Sequence, residues 1–194
     1  MLWALGPEYQ CQEISMKNKI KVLDNFLPTN DHHKIYEIVI NSLFRIGWSD
    51  TLEERHKAYP NLHSVYTFED VQKLNILDSI FKLNIKDVSL NTYWKCMVNL
   101  TKPMDVNFVH LHPDQVGAVY YANETWNPEW GGETLFYEDN TKDIRFSSPY
   151  TPNRLIIFDG AIPHTIKAQN ILGATYRFSI TFLFRRKKNN ESES

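Results

Sequence analysis

The short stretch His110-Leu111-His112-Pro113-Asp114 brings two histidines and an aspartate within five positions. Residues two apart on an extended segment point to the same side, so His112 and Asp114 can direct an imidazole and a carboxylate at one point. Pro113 between them favours an extended or turned backbone over a helix. The stretch therefore predicts a metal site, although a His-x-Asp tripeptide alone is a weak signal and a polar surface turn is the alternative.

A third ligand is offered by His164 in FDGAIPHTIKA, just after the apolar run RLIIF. Two imidazoles and one carboxylate on one side of an octahedron form the facial triad of non-haem Fe(II) oxygenases, which leaves three positions open. We therefore predict His112, Asp114 and His164 as ligands. Because only His112 has a carboxylate two positions later, we expect His110 to lie beside the metal without binding it. The remaining histidines are expected to be solvated: His32, His33, His56 and His63.

Arg177 stands in ATYRFSITFLF, which is otherwise apolar enough to be a buried strand. A buried guanidinium needs an anion or several acceptors, because an unpaired buried charge is very costly. Two explanations stay open: an ion pair with an internal Asp or Glu, and a bidentate grip on the carboxylate of a ligand. Ser179 and Thr181 follow at strand spacing, so both hydroxyls would line the same face as Arg177.

From about residue 107 to 184 the sequence resembles the 2-oxoglutarate- and Fe(II)-dependent dioxygenases, most closely their prolyl-4-hydroxylase-like branch. The resemblance rests on two stretches, VYYANETWNPEWGGETLFY and FDGAIPHTIKA, and on four residues in the order and approximate spacing of the family: His112, Asp114, His164 and Arg177. It implies Fe(II), dioxygen, 2-oxoglutarate as co-substrate and ascorbate as an optional reductant.

The resemblance also implies a co-substrate site formed by Arg177, Ser179 and Tyr121. Tyr121 falls where some family members use a tyrosine hydroxyl on the 2-oxoglutarate carboxylate. Its alternative role is that of a half-buried strand aromatic, and whether Tyr120 or Tyr121 faces the co-substrate stays open.

The elements that must position these residues change character along the chain. Helical spacing of apolar residues predicts helices near 31–43 and 68–83, the second opened by a Thr67–Asp70 capping box. After residue 87 the apolar pattern has period two, which is typical of strands. Candidate strands are 88–99, 116–122, 133–138, 154–158, 163–168 and 174–184. This order predicts an α+β, mainly β fold: a double-stranded β-helix, or jelly roll, with N-terminal helices packed on one face.

The 194 residues suit a single domain at 16–188, with a helical part at 16–86 and a β-helix core at 87–184. Residues 1–15 are expected to be an extension outside the fold, and 189–194 a tail. The formal charge of −2, from 21 basic and 23 acidic residues, argues against nucleic acid or an anionic membrane as partner. Two cysteines without metal-ligand spacing and no recognisable secretion signal favour a cytoplasmic protein.

The function predicted from these features is hydroxylation of an unactivated C–H bond, with a prolyl residue in a peptide or protein as first choice. Trp126 and Trp130, in the loop ANETWNPEWGG, are expected to form an aromatic substrate groove near the mouth of the barrel, or else to anchor the loop. The irregular segment 50–64 is a second candidate wall that could close as a lid. The alternatives are a small-molecule or amino-acid hydroxylase of the same family and a non-catalytic, cupin-like binding module whose histidines are structural or bind zinc.

Overall fold

The computed structural model describes residues 19–48, 53–173 and 176–187. Within them lie four α-helices, Thr29–Ile40 (α1), Glu54–Lys57 (α2), Phe68–Lys73 (α3) and Ile76–Phe81 (α4). The strands are Ile20–Leu23 (β1), Arg45–Trp48 (β2), Asn61–Tyr66 (β3), Tyr93–Thr101 (β4), Gln115–Tyr121 (β5), Thr134–Tyr137 (β6), Ile144–Ser148 (β7), Leu155–Asp159 (β8), His164–Ile166 (β9) and Arg177–Arg185 (β10). The expected extension 1–15 and tail 189–194 lie outside the described residues.

The strands form two antiparallel sheets that face each other. The large sheet has the order β1-β8-β5-β10-β4-β3-β2, and the small sheet has the order β7-β6-β9. A single bridge between His110 and His164 extends the small sheet on the side of β9. Two facing antiparallel sheets connected in this way form a jelly roll, so the predicted fold class is confirmed.

The central strand β10 shows how the large sheet separates two environments. Successive side chains of a strand point to opposite faces. Phe178, Ile180, Phe182 and Phe184 belong to the core shared with the helices, together with Ile35 and Val39 of α1 and Val71 of α3. The alternate residues Arg177, Ser179 and Thr181 line a cavity between the sheets. The apolar filling on that side includes Tyr121, Phe136, Tyr150 and Phe158.

The helices differ from the prediction in their ends and in one break. Helix α1 ends at Ile40, three residues early, and Leu43, which was placed on its apolar face, is 87% exposed. The region expected as one helix at 68–83 is divided into α3 and α4, because Asn75 adopts a left-handed backbone with φ 53°. Asparagine tolerates this conformation better than most residues. The predicted capping box is confirmed, since Thr67 Oγ1 accepts a hydrogen bond from the Asp70 amide at 3.2 Å.

The part of the chain before residue 87 is not only helical. It contributes three strands to the large sheet: β1 pairs with β8 at one edge, and β2 and β3 continue the sheet beyond β4 at the other edge. β7 in the small sheet was also missed, and the strand expected at 88–99 instead runs from Tyr93 to Thr101. These short segments have weak alternation, and it is pairing with a neighbouring strand that makes them extended.

In the described part of the chain, no helix has both the length and the apolar character needed to cross a membrane.

Candidate metal centre and co-substrate pocket

Three histidines converge at one end of the space between the sheets. The side chains of His110, His112 and His164 each offer one nitrogen, and these atoms all lie within 4.8 Å of one another. The ring centroids are 4.4 Å apart for His110 and His164, and 5.3 Å apart for His112 and His164. His164 is buried, while His110 and His112 are half-buried. This arrangement can hold one metal ion with three imidazoles.

Backbone contacts fix the three rings in place. His110 and His164 exchange backbone hydrogen bonds of 3.0 and 2.9 Å, which places their side chains next to each other. The amide of His112 donates to the carbonyl of Gly160 at 2.7 Å. A Cβ atom at Gly160 would lie 2.5 Å from the His112 carbonyl oxygen, so only glycine permits this close approach. The loop before His164 thus holds the segment that carries the other two histidines.

Asp114, which the sequence predicts as a ligand, is not part of this cluster. The chain is extended from His110 to His112 but turns at Pro113 and Asp114, where φ of Asp114 is +59° and the Gln115 amide donates to the His112 carbonyl at 3.3 Å. Proline followed by a residue with positive φ is typical of a type II turn. The two-residue spacing therefore joins His110 to His112 rather than His112 to Asp114. The Asp114 side chain is exposed, and its carbonyl accepts from the Arg186 amide at 2.8 Å.

Two of the rings are oriented by hydrogen bonds on the nitrogen that faces away from the cluster. Nδ1 of His110 donates to the carbonyl of Phe108 at 3.0 Å, and Nδ1 of His164 donates to the carbonyl of Ile162 at 2.8 Å. Metal-binding histidines commonly donate their other N–H to a carbonyl or carboxylate, which fixes the tautomer. Nε2 of both residues is thereby left as an acceptor for a metal.

The surroundings of His112 and His164 favour the neutral imidazole, because they lower the pKa of both residues. Burial, reinforced by the neighbouring His110 and by Lys95, lowers the pKa of His112 to about 4. Burial is also the main reason that the pKa of His164 lies well below its usual value, with His110 and His112 adding to the shift and the bond to Ile162 opposing it. Neutral imidazole is the form that binds metal, so the site is competent at neutral pH.

The same cavity continues from the histidines to Arg177. Its volume is about 70 Å³, and its lining includes the three histidines, Asn99, Thr134, Arg177, Ser179 and Thr181. Arg177 is fully buried. Its Nε donates to the Gly132 carbonyl at 3.0 Å, Nη1 to Ser179 Oγ at 3.2 Å, and Nη2 to Thr134 Oγ1 at 3.5 Å. None of the carboxylates that the structure describes forms an ion pair with Arg177, so the internal ion-pair explanation finds no support there.

Structural comparison relates the fold of this chain to known oxygenases, whereas no family model matches the chain and no curated protein is significantly similar to it. A prolyl hydroxylase from Trichoplax adhaerens, solved in complex with a hypoxia inducible factor oxygen degradation domain peptide fragment, superposes with a TM-score of 0.65 at 19% identity over 87% of this chain and 84% of that one. A Pseudomonas putida prolyl-4-hydroxylase has a TM-score of 0.65 at 18% identity, with coverage of 87% and 93%.

HygX from Streptomyces hygroscopicus, solved with nickel and 2-oxoglutarate bound, has a TM-score of 0.59 at 8% identity, with coverage of 87% and 83%. The chain has the fold of the 2-oxoglutarate- and Fe(II)-dependent oxygenases. The predicted resemblance is thus confirmed at the level of the fold, and the prolyl hydroxylases are among the proteins that share it.

Within this oxygenase fold the paired tyrosines point in opposite directions. Tyr121 lies on the side of the cavity, where its hydroxyl donates to Thr134 Oγ1 at 2.7 Å and the Arg177 guanidinium lies 5.1 Å from its ring centroid. Tyr120 lies on the helical side, with its hydroxyl 2.5 Å from Nδ1 of His32 and 3.0 Å from Asn153 Oδ1. Of the two tyrosines, Tyr121 is the one that lies beside Arg177.

The loop that carries Trp126 and Trp130 begins at the opposite end of β5 from the histidines. Strand β5 begins at Gln115, just after His112, and ends at Tyr121, just before this loop. Trp126 is half-buried, and its ring centroid lies 4.4 Å from that of Tyr150. Trp130 lines a separate surface pocket with Tyr36, Tyr176 and Phe178. Neither tryptophan lines the cavity of the histidines.

Two histidines that were expected to be solvated are buried. His32 packs against Tyr120, and His56 on α2 stacks on Phe108 with a centroid distance of 3.6 Å. His63 lies half-buried on β3, and only His33 is exposed. Sequence reasoning also missed His110 as part of the metal cluster and Tyr150 beside Arg177. His110 could have been found from its spacing to His112, whereas Tyr150 stands in a loop and carries no local signal.

Proposed function

We propose that this protein is a 2-oxoglutarate- and Fe(II)-dependent dioxygenase whose metal is held by His110, His112 and His164. The observation that carries the proposal is the single cavity that joins three imidazoles to a buried arginine, which forms no ion pair with the carboxylates that the structure describes. A metal at one end and a fixed cation at the other suit a ligand that chelates through one end and carries a carboxylate at the other. 2-Oxoglutarate has this shape, and the fold supports the assignment.

The donor set fits a divalent transition metal. Imidazole suits iron, zinc, copper and nickel, and three imidazoles leave coordination positions open for a co-substrate and dioxygen. When bound, Fe(II) with 2-oxoglutarate and dioxygen supplies the oxidation of an unactivated C–H bond, with succinate and carbon dioxide as co-products. The facial triad has a carboxylate where this chain offers a third imidazole, so the bound metal would carry one more unit of positive charge.

The residues of the chain have three tasks in this proposal. The carbonyls of Phe108 and Ile162 hold the Nδ1 protons of His110 and His164, which directs Nε2 at the metal. Arg177, with Ser179 and Thr134 beside it, binds and orients the distal carboxylate. Because Arg177, Ser179 and Thr134 are buried, their interactions with the carboxylate would be strengthened by the low dielectric around them.

We propose a prolyl residue in a peptide or protein as the substrate, ahead of a small molecule. The target carbon would approach the metal past His110 and His112, which are half-buried, whereas Arg177 at the other end of the cavity is fully buried. Two of the similar structures are prolyl hydroxylases, and one of these holds a peptide. An exposed aromatic side chain close to the histidines is Tyr59, which packs with His56 on Phe108, two residues before His110, and we place the peptide against it.

Three histidines also favour a second candidate function, in which the metal is zinc and the protein either hydrolyses a substrate or only binds a ligand. His₃ zinc centres are well known in catalytic sites. The buried Arg177 would then bind an anionic ligand that is not a redox co-substrate.

A cytoplasmic location remains a prediction, consistent with Cys96 being a free and buried thiol.

The two candidates are separated by spectroscopy and turnover. We expect anaerobic addition of Fe(II) and 2-oxoglutarate to give the weak visible charge-transfer band of the chelate, and admission of dioxygen to yield succinate. Arg177→Met should weaken 2-oxoglutarate binding by about ten- to a hundredfold, the value of a charge-assisted pair, with Fe(II) affinity retained. Tight zinc binding with neither the band nor succinate would overturn the oxygenase proposal. If the parent protein and Arg177→Met bind 2-oxoglutarate with equal affinity, Arg177 does not bind the co-substrate.

A further inference from the structure

The guanidinium of Arg177 uses only part of its hydrogen-bonding capacity within the protein. Arginine has five N–H donors in a rigid fork. Three of them have protein acceptors, at Gly132, Ser179 and Thr134, one on each nitrogen. One N–H on each terminal nitrogen is therefore left for a ligand, and two such donors match a carboxylate. Arg177 is fully buried, and none of the described carboxylates forms an ion pair with it, so other groups must stabilise its positive charge.

Aromatic rings provide that stabilisation. The Cζ atom of Arg177 lies 4.6 Å from the ring centroid of Tyr150 and 5.1 Å from that of Tyr121. The two tyrosine rings stack at 4.3 Å, and Trp126 packs against Tyr150 at 4.4 Å. We call Tyr121, Tyr150 and Trp126 the aromatic wall. The negative face of an aromatic ring attracts a cation within about 6 Å, and the attraction is strongest where water is excluded.

The aromatic wall is itself held in position. The Tyr150 hydroxyl lies 2.6 Å from Asn123 Oδ1 and 2.5 Å from the carbonyl oxygen of Phe178, the residue that follows Arg177 in the chain. Trp126 donates its indole N–H to the Gly131 carbonyl at 3.0 Å. A Cβ atom on Gly132 would lie 3.2 Å from both Trp126 Cζ2 and Arg177 Cδ, so the wall and the arginine stem enclose this glycine. The loop between β5 and β6 is therefore built around Arg177.

We propose that Tyr150, supported by Trp126, is a positioning residue for Arg177 and so determines specificity for a co-substrate with a distal carboxylate. The face of the Tyr150 ring stabilises the buried charge, and the remaining N–H group on each terminal nitrogen of Arg177 stays available for a ligand in the cavity. An internal Asp or Glu in its place would stabilise the charge equally well but would occupy the fork. This inference rests on the proposed function, and it assigns Trp126 to the co-substrate end of the site instead of to the substrate.

The test compares Tyr150→Leu with Tyr150→Phe by direct binding. Dissociation constants are measured by titration calorimetry with the full chain loaded with Fe(II) under anaerobic conditions. The two ligands are 2-oxoglutarate and 2-oxobutyrate, which share the chelating end but differ in the distal carboxylate. We expect Tyr150→Leu to weaken 2-oxoglutarate binding by about two- to thirtyfold, the range of a cation–π contact, and to leave 2-oxobutyrate binding unchanged. Tyr150→Phe keeps the ring face and should stay within about threefold of the parent.

Trp94→Leu is the matched control, since Arg185 lies 3.4 Å over the exposed Trp94 ring on the surface. It should change neither affinity. If Tyr150→Leu weakens both ligands equally, or if Tyr150→Phe is as weak as Tyr150→Leu, the ring acts on the fold and not on the fork, and the inference is wrong. If Arg177→Met binds 2-oxoglutarate as tightly as the parent, the proposed function fails instead, which separates the two outcomes.

Discussion

His110 and Asp114 have different backbone conformations, and these decide which of the two side chains lies beside His112 and His164. The bridge to His164 keeps the chain extended as far as His112, and the turn at Pro113 then ends that extension. A side chain beyond the turn no longer shares the direction of one before it. The bridge and the turn thus bring His110, and not Asp114, beside His112 and His164.

The first prediction separates the two possible ligand sets. We expect His110→Ala, His112→Ala and His164→Ala each to lower metal affinity by more than the 10- to 100-fold cost of losing an outer partner, because each removes one of three ligands. Asp114→Ala should bind metal as the parent does. Metal content after dialysis and succinate formation are the measurements. Loss of metal from Asp114→Ala, with normal content in His110→Ala, would restore the triad expected from sequence.

A second prediction concerns Gly160, where a Cβ atom would meet the His112 carbonyl oxygen at 2.5 Å. Gly160→Ala should therefore push the His112 segment away and cost about 1–3 kcal/mol of unfolding free energy, as overpacking does. Metal affinity should fall with it. Denaturant unfolding and metal titration check the two effects, and an alanine variant with parental values in both would show that the loop adjusts freely.

At the scale of elements, the residues that precede β3 from 53 to 60 include two rings that pack close to the histidine cluster. Helix α2 places His56 in a stack with Phe108, two residues before His110, and Tyr59 is 52% exposed beside them. The expected lid thus has a packed base and an exposed aromatic side chain. The tryptophan loop, which joins β5 to β6, begins at the opposite end of β5 from the histidines.

Tyr59→Ala tests this assignment. If a peptide lies against segment 53–60, the variant should raise the KM for a prolyl peptide by about fivefold or more, the effect of losing one interface anchor of about 1 kcal/mol. The affinity for 2-oxoglutarate should not change. Trp130→Ala is the comparison, and we expect parental kinetics from it. The reverse pattern, with Trp130→Ala impaired and Tyr59→Ala normal, would return the peptide to the tryptophan loop.

At the scale of the whole molecule, α1 is joined to the barrel by a buried polar contact. Nε2 of His32 donates to the Asn123 carbonyl at 3.1 Å, and Nδ1 lies beside the Tyr120 hydroxyl. Burial is the main cause that lowers the pKa of His32; the neighbouring His33 acts in the same direction, while the Asn123 bond and Glu124 oppose it. His33 on the surface behaves in the opposite way, because its contact with Glu124 raises its pKa.

The lowered pKa of His32 predicts how stability responds to acid. The unfolded chain binds a proton at this residue as the pH falls through about 6.5, whereas the folded protein does so only at lower pH. The contribution of His32 is therefore present above about pH 6.5 and is lost as the pH falls below it. In metal-free protein, His32→Gln should make the fall in unfolding free energy between pH 7 and pH 5 shallower. Identical slopes in denaturant unfolding would contradict the burial of a neutral His32.

How far the sequence alone determined the protein can be seen in β10. Its alternation of Arg177, Ser179 and Thr181 with large apolar residues was sufficient to predict a strand with one polar, ligand-facing side, because side-chain direction in a strand has a fixed period. The jelly roll, the distal histidine and the buried arginine followed from patterns of this local kind. Short strands such as β1 and β2 did not, since their extension depends on partners far away in sequence.

The tertiary structure decided which polar residues meet. The local spacing was equally good for His110 with His112 and for His112 with Asp114, and only the pairing of His110 with His164 and the turn at Asp114 chose between them. The sequence likewise placed two tryptophans in a loop, but the end of the barrel to which that loop belongs follows from the direction of β5. Tyr150 reaches Arg177 from a segment 27 positions earlier, a contact that no local pattern carries because it is made across the space between elements.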